Sequence, residues 1–320
     1  MKSGPTSHFE LSIQMETPMY PAPIESLLSP TTVDEVLRAL SESGGKETLA
    51  IAGGMSLMQA MKSRLSRPDT LVDLNNVAEL RGISWQDGAL RIGAMTRYVD
   101  LARAPELQDG AFAAIADAAC NVGDRQVRNR GTIGGSLCWN YVAACIPVAN
   151  LAIGPTLILS SRDPAGKVQT RSVAIDEFLL GPMQTARDSD ELLQAIVFGK
   201  PAECSGSAYR KWGVSAATLP IVGIGVGLTV DRGGICTSAR VGVGGLVNGS
   251  QRLQAAERAL PGLSAESAGA IADLFLAAAQ TVEVQSDSWA TTDYRRLLIQ
   301  EIGTEVTLKA FDRATKGNRR

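Results

Sequence analysis

Two short stretches of this chain carry the residue types that grip anions. Ala52-Gly53-Gly54-Met55-Ser56 and Thr132-Ile133-Gly134-Gly135-Ser136 each set a glycine pair beside small hydroxyl residues. Glycine has no Cβ, so backbone N–H groups can approach a ligand closely, and consecutive N–H groups form a nest for negative charge. The first stretch also opens a predicted helix, whose N-terminus favours an anion by ~0.3–1 kcal/mol. Ser56 and Thr132 add hydroxyl donors. Brought together, two such loops would clamp a diphosphate from opposite sides; taken singly, each reads as a plain turn.

Other chemistries are short of material. The only histidine is His8, which leaves Ser-His-Asp and Cys-His catalysis without a well-placed base and a histidine metal site without ligands. The five cysteines, Cys120, Cys138, Cys145, Cys204 and Cys236, contain no C-x-x-C. Odd in number and dispersed, they read as reduced thiols of a cytoplasmic protein rather than a disulfide framework or a cluster site. No Gly-Lys step has the flanks of a P-loop, and Gly223-Ile224-Gly225-Val226-Gly227 begins like a dinucleotide fingerprint but has Leu228 at its third glycine position. Lys plus Arg number 31 against 33 Asp plus Glu, a net charge of −2. That balance argues against nucleic acid or anionic membrane as a partner.

The elements that must position the two glycine pairs can be sketched. The 320 residues are 45% hydrophobic, enough for about two domains with real cores. Thr32-x-x-Glu35 predicts a capping box, opening a helix with Val33, Val36, Leu37 and Leu40 on one face and stopped by Gly44-Gly45. A strand is expected over 49–52 and another over 70–74. Between them a helix is expected over 56–64, with Leu57, Met61 and Leu65 on one face. Further on, 111–121 reads as a helix and 130–136 as a glycine-rich loop. Residues 156–160 and 168–173 read as a hairpin about Asp163-Pro164-Ala165-Gly166. Residues 131–161 hold no charged side chain. Their glycines, prolines and asparagines argue for a deeply buried segment and against a transmembrane span. Residues 1–20 read as an N-terminal extension with no secretory signal.

A composition shift over 199–207 marks a domain boundary, with domains expected at 21–200 and 205–313. The second is predicted as a small antiparallel sheet with helices. A strand over 221–230 ends in Asp231-Arg232-Gly233-Gly234 and pairs with 239–246. One helix carries Ile271, Leu274, Phe275 and Ala278 on one face, and a last one starts at Asp293.

The order of motifs resembles a known family. Ala52-Gly53-Gly54-Met55-Ser56-Leu57, then Met61-Lys62-x-Arg64-Leu65 and Leu71-Val72-Asp73-Leu74, resemble the FAD-binding medium subunit of molybdenum hydroxylases. That family includes carbon monoxide dehydrogenase, nicotine and quinoline dehydrogenases, and the flavin domain of xanthine dehydrogenase. Arg130-Gly131-Thr132-Ile133-Gly134-Gly135-Ser136-Leu137 is similar to its second, more specific signature. Glu177-Phe178-Leu179-Leu180-Gly181-Pro182, Asp190-Glu191-Leu192-Leu193, Tyr209-Arg210-Lys211-Trp212, Gly244-Gly245 and Tyr294-Arg295-Arg296 follow in family order.

The resemblance implies an α+β protein: a two-part FAD-binding domain of the vanillyl-alcohol-oxidase (PCMH) type and a small C-terminal α+β domain. It implies that residues Ala52, Gly53, Gly54, Met55 and Ser56, with Thr132, Ile133, Gly134, Gly135 and Ser136, hold the FAD diphosphate. Leu193 and Lys211 match positions at the flavin end. Cys145 stands where the family carries an aspartate that contacts the cofactor, and Cys138-Trp139-Asn140-Tyr141-Val142 replaces a His-x-Asp-Pro run. A carboxylate hydrogen bond worth ~1.5–3 kcal/mol is thereby lost. The implied function is electron transfer from a small subunit with two [2Fe-2S] clusters to an external acceptor. Hydroxylation takes place on a large molybdopterin subunit, in a dimer of heterotrimers. The alternatives are a free-standing FAD oxidase or reductase on the same scaffold and a structural subunit that has lost FAD.

Overall fold

The computed structural model describes residues 23–42 and 44–316; His8 and the N-terminal extension lie outside them. The described residues open with β1 (Ser26–Leu28), α1 (Val33–Ser41), β2 (Thr48–Ile51), α2 (Leu57–Lys62) and β3 (Thr70–Asp73). The capping box is formed: the Glu35 N–H donates to Thr32 Oγ1 and the Thr32 N–H to the Glu35 carboxylate, each at 3.3 Å. The three strands make a parallel sheet in the order β1-β3-β2, and Val36 and Leu37 of α1 are fully buried against it. Two expectations fail here. α2 is shorter than 56–64, because left-handed Arg64 (φ 59°) ends it. Leu65 therefore points into solvent, 84% exposed, instead of joining buried Met61.

The second part runs through β4 (Ile83–Gln86), β5 (Ala89–Gly93), α3 (Tyr98–Leu101), α4 (Ala113–Asn121), α5 (Arg125–Arg130), α6 (Ile133–Trp139) and α7 (Cys145–Ile153). It continues through β6 (Thr156–Arg162), β7 (Val168–Ala174), α8 (Ile175–Phe178), β8 (Leu179–Gly181), β9 (Gln184–Thr185) and β10 (Leu192–Phe198). Five strands form an antiparallel sheet, β4-β5-β10-β6-β7. The β6–β7 hairpin is tied by Asp163, whose carboxylate accepts the N–H groups of Ala165 and Lys167 at 2.9 and 2.8 Å. The expected glycine-rich loop at 130–136 is instead the junction of α5 with α6, and its glycine pair lies inside α6. The cause is Thr132, which caps the Gly135 N–H at 3.1 Å and so starts a helix at Ile133.

Beyond residue 204 come β11 (Ser205–Trp212), β12 (Val222–Val230), β13 (Cys236–Gly244), β14 (Gln251–Arg252), α9 (Gln254–Ala259), α10 (Ala268–Ala278) and α11 (Thr292–Lys316). The strands form one antiparallel sheet in the order β11-β12-β13-β14. With period-2 alternation, Val222, Ile224, Val226 and Leu228 of β12 pack into the core shared with α10 and α11. The opposite face is glycine, and α7 lies across it. A Cβ on Gly227 would sit 2.3 Å from the Ala152 carbonyl oxygen, and one on Gly242 of β13 2.3 Å from that of Val148. The abortive fingerprint at 223–227 is therefore a groove that admits a helix backbone. All of α7 except Ile153 is buried, and the uncharged stretch of the sequence is this internal helix with its flanks. No helix among the described residues is long and apolar enough to cross a membrane. A carboxylate latches the two sheets' layers. Asp117 of α4 accepts from Arg313 at 2.6 and 3.0 Å, from Lys309 at 3.1 Å and from the Tyr209 N–H at 3.1 Å.

Candidate cofactor site

The two glycine pairs meet. A Cβ on Gly53 would lie 2.1 Å from the Arg130 carbonyl oxygen and 2.9 Å from the Gly131 Cα, so the loop after β2 is pressed on the α5–α6 junction. One on Gly135 would lie 3.5 Å from Ala52 Cβ. Gly54 turns the chain at φ +73°, a conformation costing ~1–2 kcal/mol for a residue with a Cβ. The Asn75 amide holds the loop from the side by donating to the Ala52 carbonyl at 3.0 Å.

The two pairs nevertheless do different jobs. In the first, the N–H groups of Gly53, Gly54, Met55, Ser56 and Leu57 make no hydrogen bond to another described residue, and Ser56 provides no side-chain cap for α2. These are bare donors in a tight turn, the arrangement that receives an anion. In the second, the N–H groups are engaged. Ile133 donates to the Thr96 carbonyl at 3.1 Å, Gly134 to that of Ala94 at 2.8 Å, and Ser136 to that of Thr132 at 3.1 Å. Gly134 is glycine because a Cβ there would meet the Ala94 oxygen at 2.7 Å. The Thr132 hydroxyl accepts from Gly135 and keeps its own proton for donation. So the second pair is the wall that locates the first.

The wall reaches the flavin-end positions through the backbone. Ala94, which accepts from Gly134, donates its N–H to the Gln194 carbonyl at 2.9 Å, at a bulge in β10 directly after Leu193. Leu193 is a buried member of the same core as Cys145 and Tyr209. Lys211, on β11, is 8% exposed, and its ammonium donates to the Thr218 carbonyl. Burial depresses its pKa and nearby Arg128 adds to the fall, while Cys145 acts the other way. Cys145 is the first residue of α7, and burial raises its thiol pKa against the pull of Tyr209 and Lys211. It is a neutral thiol where a carboxylate was expected.

Several site residues carry no distinctive sequence signal. Tyr98 lies between the two clusters: its ring packs where a Cβ on Gly131 would come within 2.4 Å, and its hydroxyl neighbours Ser136 and Cys145. Burial pushes its pKa up to about 12. Arg97 pairs with Thr132 across an isolated bridge and donates to the Asn129 carbonyl and to Asn75. Its guanidinium is destabilised by burial first and then by Arg130 and Arg81. Arg97 thus sets a cation beside Thr132 at the glycine junction, a charge suited to a diphosphate. Tyr209 had a legible signal, since i and i+2 on a strand share a face with Lys211.

A turn of bare N–H groups, walled by a second glycine pair and with Arg97 beside it, suits the diphosphate of a dinucleotide. Comparison with known proteins gives the same class. Residues 22–201 match the family described as the FAD binding domain in molybdopterin dehydrogenase, and residues 207–310 match the CO dehydrogenase flavoprotein C-terminal domain. The chain belongs to this family. It is 30% identical over 283 residues to the 6-hydroxypseudooxynicotine dehydrogenase complex subunit alpha of Paenarthrobacter nicotinovorans, covering 88% of this chain and 93% of that one. Among solved structures, carbon monoxide dehydrogenase from Hydrogenophaga pseudoflava superposes with a TM-score of 0.83 at 30% identity, covering 92% of this chain and 99% of that one. Quinoline 2-oxidoreductase from Pseudomonas putida 86 gives 0.81 at 29% identity, with the same coverage.

Proposed function

We propose that this chain is the FAD-carrying electron-transfer subunit of a heterotrimeric molybdopterin/[2Fe-2S]/FAD hydroxylase. The observation that carries the reading is the junction of the two glycine pairs, with five consecutive N–H groups left bare at Gly53 to Leu57. Those groups bind the diphosphate oxygens; the Thr132 and Ser136 hydroxyls complete the grip, and Ile133, Gly134 and Gly135 hold the wall in place. Leu193 and Lys211 would hold the flavin end, the lysine supplying a positive charge there. FAD bound there supplies the ability to accept electrons one at a time and release them to another acceptor.

The protein's own part is binding, orientation and electrostatics, a role that needs no histidine base of the chain's own. Donors aimed at the place where charge develops stabilise it without reorganisation. Residues 21–200 form the FAD-binding domain and 205–313 the C-terminal domain, which brings Lys211 against α7. A small subunit with two [2Fe-2S] clusters delivers electrons, a large molybdopterin subunit hydroxylates the substrate, and the whole is a cytoplasmic dimer of heterotrimers.

The test is purification from the native host. Flavin absorbance, with molybdenum and iron co-purifying in fixed ratio to FAD, is the expected outcome. A colourless chain with no affinity for added FAD refutes the reading. So does an isolated chain that oxidises an organic substrate by itself.

A further inference from the structure

α5 holds three arginines in six residues, Arg125–Arg130, and none of its residues is buried. At 3.6 residues per turn, Arg125, Gln126, Asn129 and Arg130 fall within one arc of about 140°, and these four are its exposed residues. Val127 and Arg128 take the other side, where Arg128 is fixed by donating to the Val122 and Gly123 carbonyls at 3.0 and 2.9 Å. The adjoining carboxylate, Asp124, is engaged in capping the Val127 N–H at 2.8 Å. Among the described residues none of the three arginines forms an ion pair, whereas Arg162, Arg240, Arg252 and Arg313 each meet a carboxylate. The outward face is thus two cations and two amides with no anion. Arg97, whose guanidinium reaches the Asn129 carbonyl, adds a cation at the end of the helix, with Asp100 the carboxylate it senses.

This helix adjoins both parts of the cofactor site. The Arg130 carbonyl is pressed on Gly53 of the bare turn, and Arg128 lies close enough to Lys211 to oppose its charge. In a chain of net charge −2, unpaired arginines at that one place concentrate positive potential beside the cofactor. Permanent subunit contacts are the more apolar ones, while redox encounters are small and electrostatic. Exposed large apolar side chains stand at Trp212, Val214, Leu219 and Trp289, and none stands on α5. The two best-formed cavities among the described residues take no lining from α5, so it offers a macromolecule a surface rather than a small anion a pocket.

We propose, on the basis of the FAD reading above, that the outward face of α5, formed by Arg125, Gln126, Asn129 and Arg130, is the docking surface for an acidic one-electron carrier protein, the external acceptor of this subunit. Each encounter passes one electron from the reduced cofactor to the metal centre of the carrier. Two oxidised carriers are therefore reduced for each pair of electrons, and the protons of the reduced cofactor go to water.

The test compares the FAD-loaded full chain with its double variant Arg125→Glu, Gln126→Glu. Glutamate suits the first turn of a helix, so the variant should melt like wild type. Each chain is photoreduced and mixed in a stopped flow with cytochrome b5, an acidic haem protein, or with cytochrome c, a basic one. At low ionic strength the variant should reduce cytochrome b5 at least about tenfold more slowly than wild type and cytochrome c faster. Both differences should vanish in about 1 M salt, where the screening length is ~3 Å. Neutral benzoquinone should reoxidise the two chains equally. A second readout needs no electrons: the FAD-free wild-type chain should bind immobilised cytochrome b5 with a salt-sensitive affinity that the variant lacks. Equal rates and equal binding of the two chains toward cytochrome b5 overturn the proposal. So does a variant that reacts normally with cytochrome b5 but no longer assembles with partner subunits, because the face would then be a permanent interface. A wild-type chain that takes up no FAD overturns the underlying reading instead, and the redox role of this face with it.

Discussion

Replacing Gly53 by alanine tests the junction on which the site depends. The added Cβ would lie 2.1 Å from the Arg130 carbonyl oxygen, and contacts under 3.0 Å are not tolerated, so one backbone must retreat by at least about 0.9 Å. Neither side can yield by rotating a side chain, because both partners are main chain. A hydrogen bond of about 2.9 Å from the Gly53 or Gly54 N–H to a phosphate oxygen would stretch to about 3.8 Å, beyond useful range. Each charge-assisted bond lost costs ~1.5–3 kcal/mol, which weakens FAD binding roughly 10- to 150-fold. Overpacking itself costs ~1–3 kcal/mol of stability. Fluorescence titration with FAD measures the first effect and thermal melting of the FAD-free chain the second. Gly44→Ala is the control: a Cβ there meets nothing within 4 Å, and any strain comes only from the left-handed backbone of Gly44 itself (φ +61°). It should lose a little stability and no affinity. A Gly53→Ala protein with wild-type affinity for FAD would refute the reasoning, since the clash would then have been absorbed away from the bare N–H groups.

The remaining predictions concern the supports of the site. Asp117→Asn should cost ~2–3 kcal/mol in urea unfolding, because a largely buried carboxylate loses its charge-assisted bonds to Arg313 and Lys309. Burial alone would raise the pKa of Asp117, but Arg313, the Tyr209 N–H and Lys309 hold it below the usual value. Its contribution is therefore complete above about pH 4 and fades as pH falls through the lower folded pKa. The gap between wild type and variant should be full near neutrality and close in strong acid. Gly227→Ala should push α7 off β12 through the Ala152 carbonyl, lowering stability by ~1–3 kcal/mol and reducing FAD retention on gel filtration. Thr32→Ala breaks the capping box far from the glycine junction. It should cost about 1 kcal/mol in thermal melts and leave FAD affinity unchanged.

Much of the local structure was legible because its causes are local. The capping box at Thr32 and Glu35, the Asp163 turn and the strand expected over 221–230 are settled within a few residues of sequence, and each forms as expected. The errors came where distant chain decides. Residues 130–136 look like a loop because glycine pairs usually punctuate turns. From Ile133 on they are helical: Thr132 caps the Gly135 N–H, and Ala94 and Thr96, from another segment, accept the first-turn N–H groups of Gly134 and Ile133. Leu65 looked like part of a buried face, yet a left-handed residue just before it turned it out to solvent.

The same division runs through the site. By itself the sequence determined the donors: glycine pairs beside hydroxyls, and the lysine of Tyr209-Arg210-Lys211-Trp212. It also determined the neutral thiol at position 145, because residue chemistry does not depend on context. Only the tertiary structure decided which glycine pair stays bare and which is consumed as a wall, because hydrogen bonds to Ala94 and Thr96 are long-range pairings. It also turned the glycines of β12 into a groove for α7, since a missing Cβ has meaning only once another backbone lies against it.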